Sequence, residues 1–260
     1  MNKFRIILFW LLVSGYTLLS LSFSSIKSSQ IKCQEIIVKV KDNTKHLFVE
    51  SKDIIELFGK KGIQIINQNI YELDVNKLEK LIEEIPSIKS AQVYTNIDGK
   101  LTVEIVQRNP ILRIINSANE SFYIDESGEI MPLSKNYTAH VLVANGEIDQ
   151  LHKSLNNKNI SEIKKEENNI ITELYIIADF INKSPFWKAQ IEQIFVTKKG
   201  EFELIPRIGM HVIIFGNSDN YYEKFQKLEL LYKKGLPQKG WNRYKSINLK
   251  YKNQIVCTKN

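Results

Sequence analysis

The chain is poor in cysteine. Two cysteines, Cys33 and Cys257, stand near opposite ends of 260 residues. This excludes a secreted mini-domain held together by disulfides, because such scaffolds need dense and closely spaced cysteines. The four histidines form no Cys/His group with the spacing of zinc ligands, so no zinc site is expected. Two free thiols are favoured over a bridge between Cys33 and Cys257, since nothing in the sequence brings the two ends together.

Arginine is also scarce. The chain carries 36 basic residues, of which five are arginine, and its net charge is +7. Arginine provides the planar fork that grips phosphate and guanine, so a dedicated nucleic-acid-binding protein with so little of it would be unusual. The lysines are spread along the chain among Glu, Asn and Ile. This pattern indicates a solvated surface and no nucleic-acid partner.

Catalytic motifs with a recognisable spacing are absent from the sequence. The segment from Gly59 to Gly62 is too short for a phosphate-binding loop and has no Ser or Thr after its lysines, and no Gly-x-Ser-x-Gly elbow occurs. Carboxylate pairs such as Glu83-Glu84 are typical of solvated charge rather than of acid–base catalysis. The sequence therefore predicts no enzyme, no cofactor, no metal and no small-molecule substrate.

A long uncharged segment follows the first five residues. Residues 6–26 carry no charged side chain, and as a helix they would be about 31 Å long, enough to cross the hydrocarbon core of a bilayer. Lys3 and Arg5 before it predict that residues 1–5 stay in the cytoplasm. This favours a single-pass anchor in the inner membrane over a cleavable signal peptide with Ser22 and Ser24 before the cut. On either interpretation, the rest of the chain works outside the cytoplasm.

Residues 33–109 have the pattern of a small α+β domain. A β-branched strand comes first, two amphipathic helices capped by Ser51 and Asp74 follow, and two strands joined by Asp98-Gly99 complete it. The order is therefore strand, helix, helix, strand, strand. The expected elements are, in turn, Glu35–Lys41, Asp53–Phe58, Val75–Ile85, Ser90–Ile97 and Lys100–Gln107.

Residues 110–260 are predicted to form a mixed, β-rich C-terminal domain that contains two helices. The helices carry apolar residues at three- and four-residue spacing, and they are expected over Ile170–Asn182 and over Tyr221–Lys233, the second capped by Asp219. Short β-branched segments surround them. The expected strands are Ile111–Ile115, Ser121–Ile124, His140–Val143, Ile191–Val196, Glu201–Ile205 and His211–Phe215.

The last segment of the chain has the clearest strand pattern. From Ser246 to Gln254 polar and apolar residues alternate, which predicts one strand with one buried and one solvated face. Because it lies at the end of the chain, no later segment is left to pair with its far side. At a sheet edge it would offer unpaired main-chain groups to a partner strand. The alternatives are a strand between two neighbours and an edge protected by its lysines.

Several phrases of the sequence, taken in order, resemble the FtsQ/DivIB family of bacterial cell-division proteins, in the form found in Bacteroidetes-like bacteria. Each phrase is weak alone, but together they extend over nearly the whole chain after residue 27. They are Gln107–Ile114, Phe122–Asp125 with Gly128, Met131–Ser134, Val141–Gly146, Phe186–Ile194, Glu203–Gly209, Ile247–Tyr251 and Gln254–Lys259.

The resemblance implies a fold and a role. Members of the family are bitopic, with a short cytoplasmic tail, one membrane helix, a POTRA domain and a C-terminal β domain, and they are not enzymes. They are divisome scaffolds at the septum. They bind the small membrane proteins FtsB and FtsL, among other divisome components, and so influence septal peptidoglycan synthesis. The main contact is β-augmentation, in which a segment of FtsB adds to the last strand of the β domain.

The family's Leu-Arg-Tyr pattern matches Leu249, Lys250 and Tyr251. Its tyrosine binds the partner, so the resemblance assigns that role to Tyr251, while Lys250 keeps the charge of the arginine but not its fork. The other expected partner-binding residues flank these three on the final strand: Ser246, Asn248 and Lys252. The alternative function is an exported, soluble periplasmic binding protein or envelope hydrolase, released after signal-peptide cleavage.

Overall fold

The computed structural model describes residues 5, 7–17, 31–41, 48–149, 159–163 and 169–260. The chain divides into two compact units, the first ending at Gln107 and the second running from Arg108 to Asn260, and Phe48 belongs to the second. Residues 7–17 are helical. Among the described residues, no helix combines the length and the apolar character that crossing a bilayer requires. The expected anchor over residues 6–26 extends beyond the described residues and stays a prediction.

The first unit has the predicted order of strand, helix, helix, strand, strand. Its three-stranded sheet has the order β1-β3-β2, with β1 parallel and β2 antiparallel to the central strand β3. The elements are β1 (Glu35–Val40), α1 (Ser51–Lys60), α2 (Val75–Glu83), β2 (Ile88–Thr95) and β3 (Lys100–Gln107).

Of the helix caps and the turn predicted for this unit, one cap and the turn are confirmed and the other cap is wrong. Asp74 caps α2 as predicted, since its carboxylate accepts from the Lys77 N–H. The cap of α1 is Glu50 and not Ser51, because Glu50 and Asp53 form a reciprocal capping box. The hairpin turn at Gly99 is confirmed. Gly99 has φ +75°, and a Cβ there would collide with the main-chain oxygen of Lys32.

The core of the first unit lies between its sheet and its two helices. The central strand β3 contributes Leu101, Val103 and Ile105, all fully buried. The helices cover this face with residues at four-residue spacing, because positions four apart lie on one side of a helix. These residues are Ile54 and Phe58 on α1, and Leu78 and Ile82 on α2.

The second unit is built on one nine-stranded mixed sheet with the order β12-β11-β10-β9-β8-β7-β4-β5-β6. The pairs β4–β7, β7–β8 and β10–β11 are parallel, and the other neighbouring pairs are antiparallel. The strands are β4 (Pro110–Ile115), β5 (Ser121–Asp125), β6 (Ile130–Pro132), β7 (Leu142–Gly146), β8 (Ile191–Val196), β9 (Phe202–Pro206), β10 (Val212–Gly216), β11 (Tyr244–Asn248) and β12 (Val256–Lys259).

Helices cover the buried face of this sheet, and the described residues hold more of them than the two predicted. Asn169 caps α4 by accepting from Ile171 N–H, and Ser184 caps α5. The expected Asp219 cap is wrong, because Asn220 holds the N-cap position of α6 in the left-handed conformation. The helices are α3 (Ile160–Ile163), α4 (Ile170–Lys183), α5 (Pro185–Gln190), α6 (Tyr221–Leu230), a π-helical turn (Leu231–Gly235) and α7 (Leu236–Lys239).

Aromatic side chains join these helices to the sheet. Trp187 of α5 stands at the centre, with its ring centroid 5.1 Å from Phe225 and 5.6 Å from Tyr232. Phe215 of β10 lies 5.1 Å from Phe225. All four rings are buried. This cluster fixes α6, and therefore the residues that α6 presents toward the end of the chain.

Candidate functional site

The segment predicted as one final strand is a strand, a turn and a second strand. β11 ends at Asn248, the chain turns through residues 249–255, and β12 returns antiparallel to β11. The prediction of a continuous strand over Ser246–Gln254 is therefore wrong. Asn253 has a left-handed φ of +59°, a conformation that asparagine tolerates better than most residues.

The alternating pattern misled the prediction because it continues through the turn. Ile247 on β11 and Cys257 on β12 are direct cross-strand partners, and both face the core. Residues 247 and 257 are ten apart, an even number. Because side chains alternate with a period of two, residues an even number apart would also face the same side in one continuous strand, so the sequence pattern of the hairpin looks like that of one long strand. The signal that could have revealed the turn was Asn253, the one polar residue at an apolar position of the pattern.

The sheet edge is formed by β12. In the described part of the chain, no strand pairs with the side of β12 that faces away from β11. The N–H of Asn260 donates to the Arg243 oxygen, which lies toward β11. Since alternate residues of a strand point their N–H groups to the same side, the N–H groups of Cys257 and Lys259 point outward. Val256, Thr258 and Lys259 are exposed.

Ser246 and Asn248 do not lie at the edge. Both belong to β11, where Ser246 pairs with Val212 on one side and with Thr258 on the other. The main chain of β11 is therefore already paired on both sides. The edge position expected for Ser246 and Asn248 is wrong, and a contact of their half-buried side chains with a partner stays a prediction.

The other predicted residues lie in the turn between β11 and β12. Leu249 is 1% exposed and belongs to the core, and its N–H donates to the Ile214 oxygen at 2.9 Å. Tyr251 is 48% exposed, and Lys250 and Lys252 are also exposed. Lys250 pairs with Glu201 at 2.5 Å. Of the predicted residues in this turn, Leu249 therefore lies in the core, and the other three lie on the surface.

A basic cleft of about 260 Å³ lies beside this turn. Lys224 and Lys227 of α6 line one wall, and Leu249 and the three surface residues of the turn line the other. Lys224 is almost buried, its Nζ donates to the Asn217 oxygen at 2.9 Å, and burial lowers the pKa of its amine. Four lysines, at 224, 227, 250 and 252, face one carboxylate, Glu223, in this lining, so the cleft has a net positive charge, which favours an acidic partner segment over a basic one.

The described residues offer no metal centre, since no group of three or more His, Cys, Asp or Glu side chains is arranged to hold an ion. His211 is a core residue whose ring lies 2.9 Å from the Tyr232 hydroxyl. Burial lowers the pKa of His211 and raises that of Tyr232. Cys33 and Cys257 are free thiols, as predicted, and burial raises the pKa of Cys257.

Two family models match the chain, one for each unit. Residues 31–106 match a POTRA-like domain. Residues 109–258, more than half of the chain, match a model described as FtsQ/DivIB, C-terminal related. A search of curated proteins found no match. The two matches agree in order and position with the resemblance seen in the sequence.

Proposed function

Because this chain belongs to the FtsQ/DivIB family, we propose that it is a non-enzymatic scaffold of the bacterial divisome. It is held in the inner membrane by residues 6–26, with its N-terminus in the cytoplasm and its two units in the periplasm. At the septum it binds small bitopic partners of the FtsB and FtsL type, and through them it influences septal peptidoglycan synthesis. The observation that supports this proposal most directly is the family match over residues 109–258.

The partner binds by adding a strand to β12. The observation that supports this step is the position of Val256–Lys259 at the end of the nine-stranded sheet. The outward N–H groups of Cys257 and Lys259 supply donors for a new ladder, and the main-chain oxygens beside them supply acceptors. No side chain in the described part of the chain hydrogen-bonds to the main chain of β12, so strand addition there displaces no side-chain bond among those residues.

The ring of Tyr251 anchors the incoming segment next to this ladder. It is about half exposed although the turn that carries it is held by core contacts of Leu249. An aromatic side chain on a rigid support loses little conformational entropy on binding, and such residues dominate interface energies. The lysines of the basic cleft, 224, 227, 250 and 252, lie beside the ring and favour acidic residues in the same partner segment.

A pair of substitutions at Lys259 tests strand addition. Lys259→Pro removes the outward N–H, whereas Lys259→Ala removes the side chain and keeps the N–H. Titration of the full-length chain in detergent micelles with the periplasmic segment of the FtsB-like protein from the same bacterium gives the affinity. We expect Lys259→Pro to bind at least about tenfold more weakly, because it loses one main-chain hydrogen bond to the partner and weakens the adjacent ones. Equal affinities of the two variants would exclude β12 as the augmented strand.

A further inference from the structure

The three-stranded sheet of the first unit has β2 at one of its edges. In the order β1-β3-β2, one side of β2 pairs with β3, and its other side carries main-chain groups that a sheet edge normally leaves open. The strand runs Ile-Lys-Ser-Ala-Gln-Val-Tyr-Thr from Ile88 to Thr95. Its β-branched and aromatic residues suit strand pairing. Such an edge invites addition of a foreign strand unless the protein protects it.

Two carboxylates of α2 accept from two outward N–H groups in the middle of β2, those of Ala91 and Val93. The N–H of Ala91 donates to Glu83 Oε1 at 3.0 Å, and the N–H of Val93 donates to Glu79 Oε1 at 2.8 Å. Both glutamates lie on one helix and both donors on one strand. Carboxylate oxygens are strong acceptors; the Glu79 side chain is half-buried and that of Glu83 is exposed.

The match between helix and strand spacing explains why both contacts form together. Glu79 and Glu83 are four residues apart on a helix, a rise of about 6 Å. Ala91 and Val93 are two residues apart on a strand, a distance of about 6.6 Å, and they point their N–H groups to the same side. The two carboxylates therefore follow two successive outward N–H groups of β2, as an added strand would do with its carbonyl oxygens.

The core residues next to the glutamates fix this arrangement. Leu78 and Ile82, which immediately precede Glu79 and Glu83, are buried against the sheet. The helix therefore cannot move away from β2 without exposing its apolar face. Glu83 is also the last residue of α2, where a negative charge opposes the helix dipole. The carboxylate of Glu83 therefore does not stabilise the helix, but it accepts a hydrogen bond from the Ala91 N–H.

We infer that Glu79 and Glu83 close the β2 edge of the POTRA-like unit against strand addition. An incoming strand would have to displace both carboxylates from their donors and bury or expel their charge. β12 differs, because its main chain receives no hydrogen bond from a side chain of the described residues. The closure excludes a second copy of this chain from pairing through β2, and it holds whether or not β12 binds a partner.

Removal of the carboxylates should open the edge, and a cysteine at the exposed residue Gln92 reports the opening. If two copies pair antiparallel about Gln92, their Cα atoms come to about 4.5 Å in a non-hydrogen-bonded pair, within reach of a disulfide. Gln92→Cys is introduced into the full-length chain with Cys257→Ser, since Cys33 is buried. Mild oxidation then tests three backgrounds: native glutamates, Glu79→Ala with Glu83→Ala, and Glu79→Gln with Glu83→Gln.

We expect at least fivefold more disulfide-linked dimer in the alanine background than in the other two, because glutamine keeps an acceptor oxygen. Hydrogen–deuterium exchange of the peptide over residues 88–95 should rise in the same background. Glu56→Ala with Glu84→Ala, which changes the charge equally without touching β2, should behave like the native pair. If the alanine pair does not fold by circular dichroism, the two single alanine variants are compared. Equal cross-linking with and without the carboxylates would overturn the closure. Faster exchange over residues 88–95 without any increase in dimer would overturn it as well.

Discussion

The ammonium group of Lys227 on α6 lies 2.8 Å from the main-chain oxygen of Tyr251 and 3.4 Å from that of Leu249. Lys227 thus ties the turn after β11 to a helix whose buried residues, Phe225 and Leu228, fix it to the core. An exposed turn is normally mobile. Here it has two tethers, this amine and the buried Leu249, so the ring of Tyr251 is exposed on a rigid support.

Tyr251→Ala should weaken partner binding at least about thirty-fold, because truncating an aromatic anchor at the centre of an interface typically costs about 2 kcal/mol or more. The melting temperature should stay unchanged, since the ring is half exposed. Titration with the FtsB-like segment and thermal unfolding measure both effects. Tyr71→Ala removes a tyrosine of similar exposure from the first unit and should leave the affinity as it is. Normal binding by Tyr251→Ala, or its unfolding, would exclude the anchor role.

Asp125→Ala should destabilise the second unit by about 3–5 kcal/mol, the usual cost of breaking a buried ion pair. The Asp125 carboxylate is 1% exposed and pairs with Arg108 at 3.1 Å. It also accepts from the N–H groups of Ser127 and Glu129, so the substitution leaves several donors unsatisfied. Urea denaturation of the full chain measures the loss. Glu229→Ala breaks an exposed i,i+4 pair with Lys233 and should cost no more than about 0.5 kcal/mol.

Local signals predicted much of the fold because they depend on neighbours in sequence. The cap at Asp74 and the turn at Gly99 are examples, since each needs only a few adjacent residues and a fixed backbone geometry. The end of the chain was predicted less well. The side chains of Ile247 and Cys257 fit one long strand and a hairpin equally, and the left-handed turn at Asn253 decides between them.

The contacts of Glu79 and Glu83 could not be predicted, because they depend on how α2 lies over β2. In the sequence, Glu83 belongs to a pair of adjacent glutamates typical of solvated charge. In the structure, its acceptor atom meets a strand N–H eight residues later. The coincidence of a four-residue helix spacing with a two-residue strand spacing arises only after the two elements pack.

Two glycines should respond to alanine with opposite signs. Gly146 has φ +108°, and an added Cβ would collide with the main-chain oxygen of Val196, so Gly146→Ala should destabilise by more than about 1 kcal/mol. Gly59 lies within α1 with open space around it, and Gly59→Ala should stabilise by about 0.5–1 kcal/mol. Denaturant midpoints of the two variants and the native chain measure this. Shifts of the same sign would contradict the backbone assignment of one glycine.

Acid should destabilise the second unit partly through His211. Burial lowers the pKa of its imidazole below the ordinary value of 6.5, so the folded chain disfavours the protonated ring. Below about pH 6.5 the unfolded chain binds more protons than the folded chain, and the free energy of unfolding therefore falls as the pH falls. Urea denaturation at pH 7.5 and pH 5 measures the fall. His211→Gln has no titrating side chain at this position, so its free energy of unfolding should fall less between these two pH values. An equal fall in the variant and the native chain would show that other groups cause the acid effect.

A fluorescent protein fused before Met1 should form a band at the division site of living cells, with uncleaved fusion in the membrane fraction. We expect the label to stay in the cytoplasm and the chain to be anchored, because Lys3 and Arg5 precede the uncharged residues 6–26. A matched fusion that lacks residues 6–26 should give diffuse fluorescence at equal expression. Because a signal peptidase would release the label near residue 25, a clipped label in the first fusion would contradict the anchor. Uncleaved fusion spread evenly around the envelope would keep the anchor and contradict the divisome role.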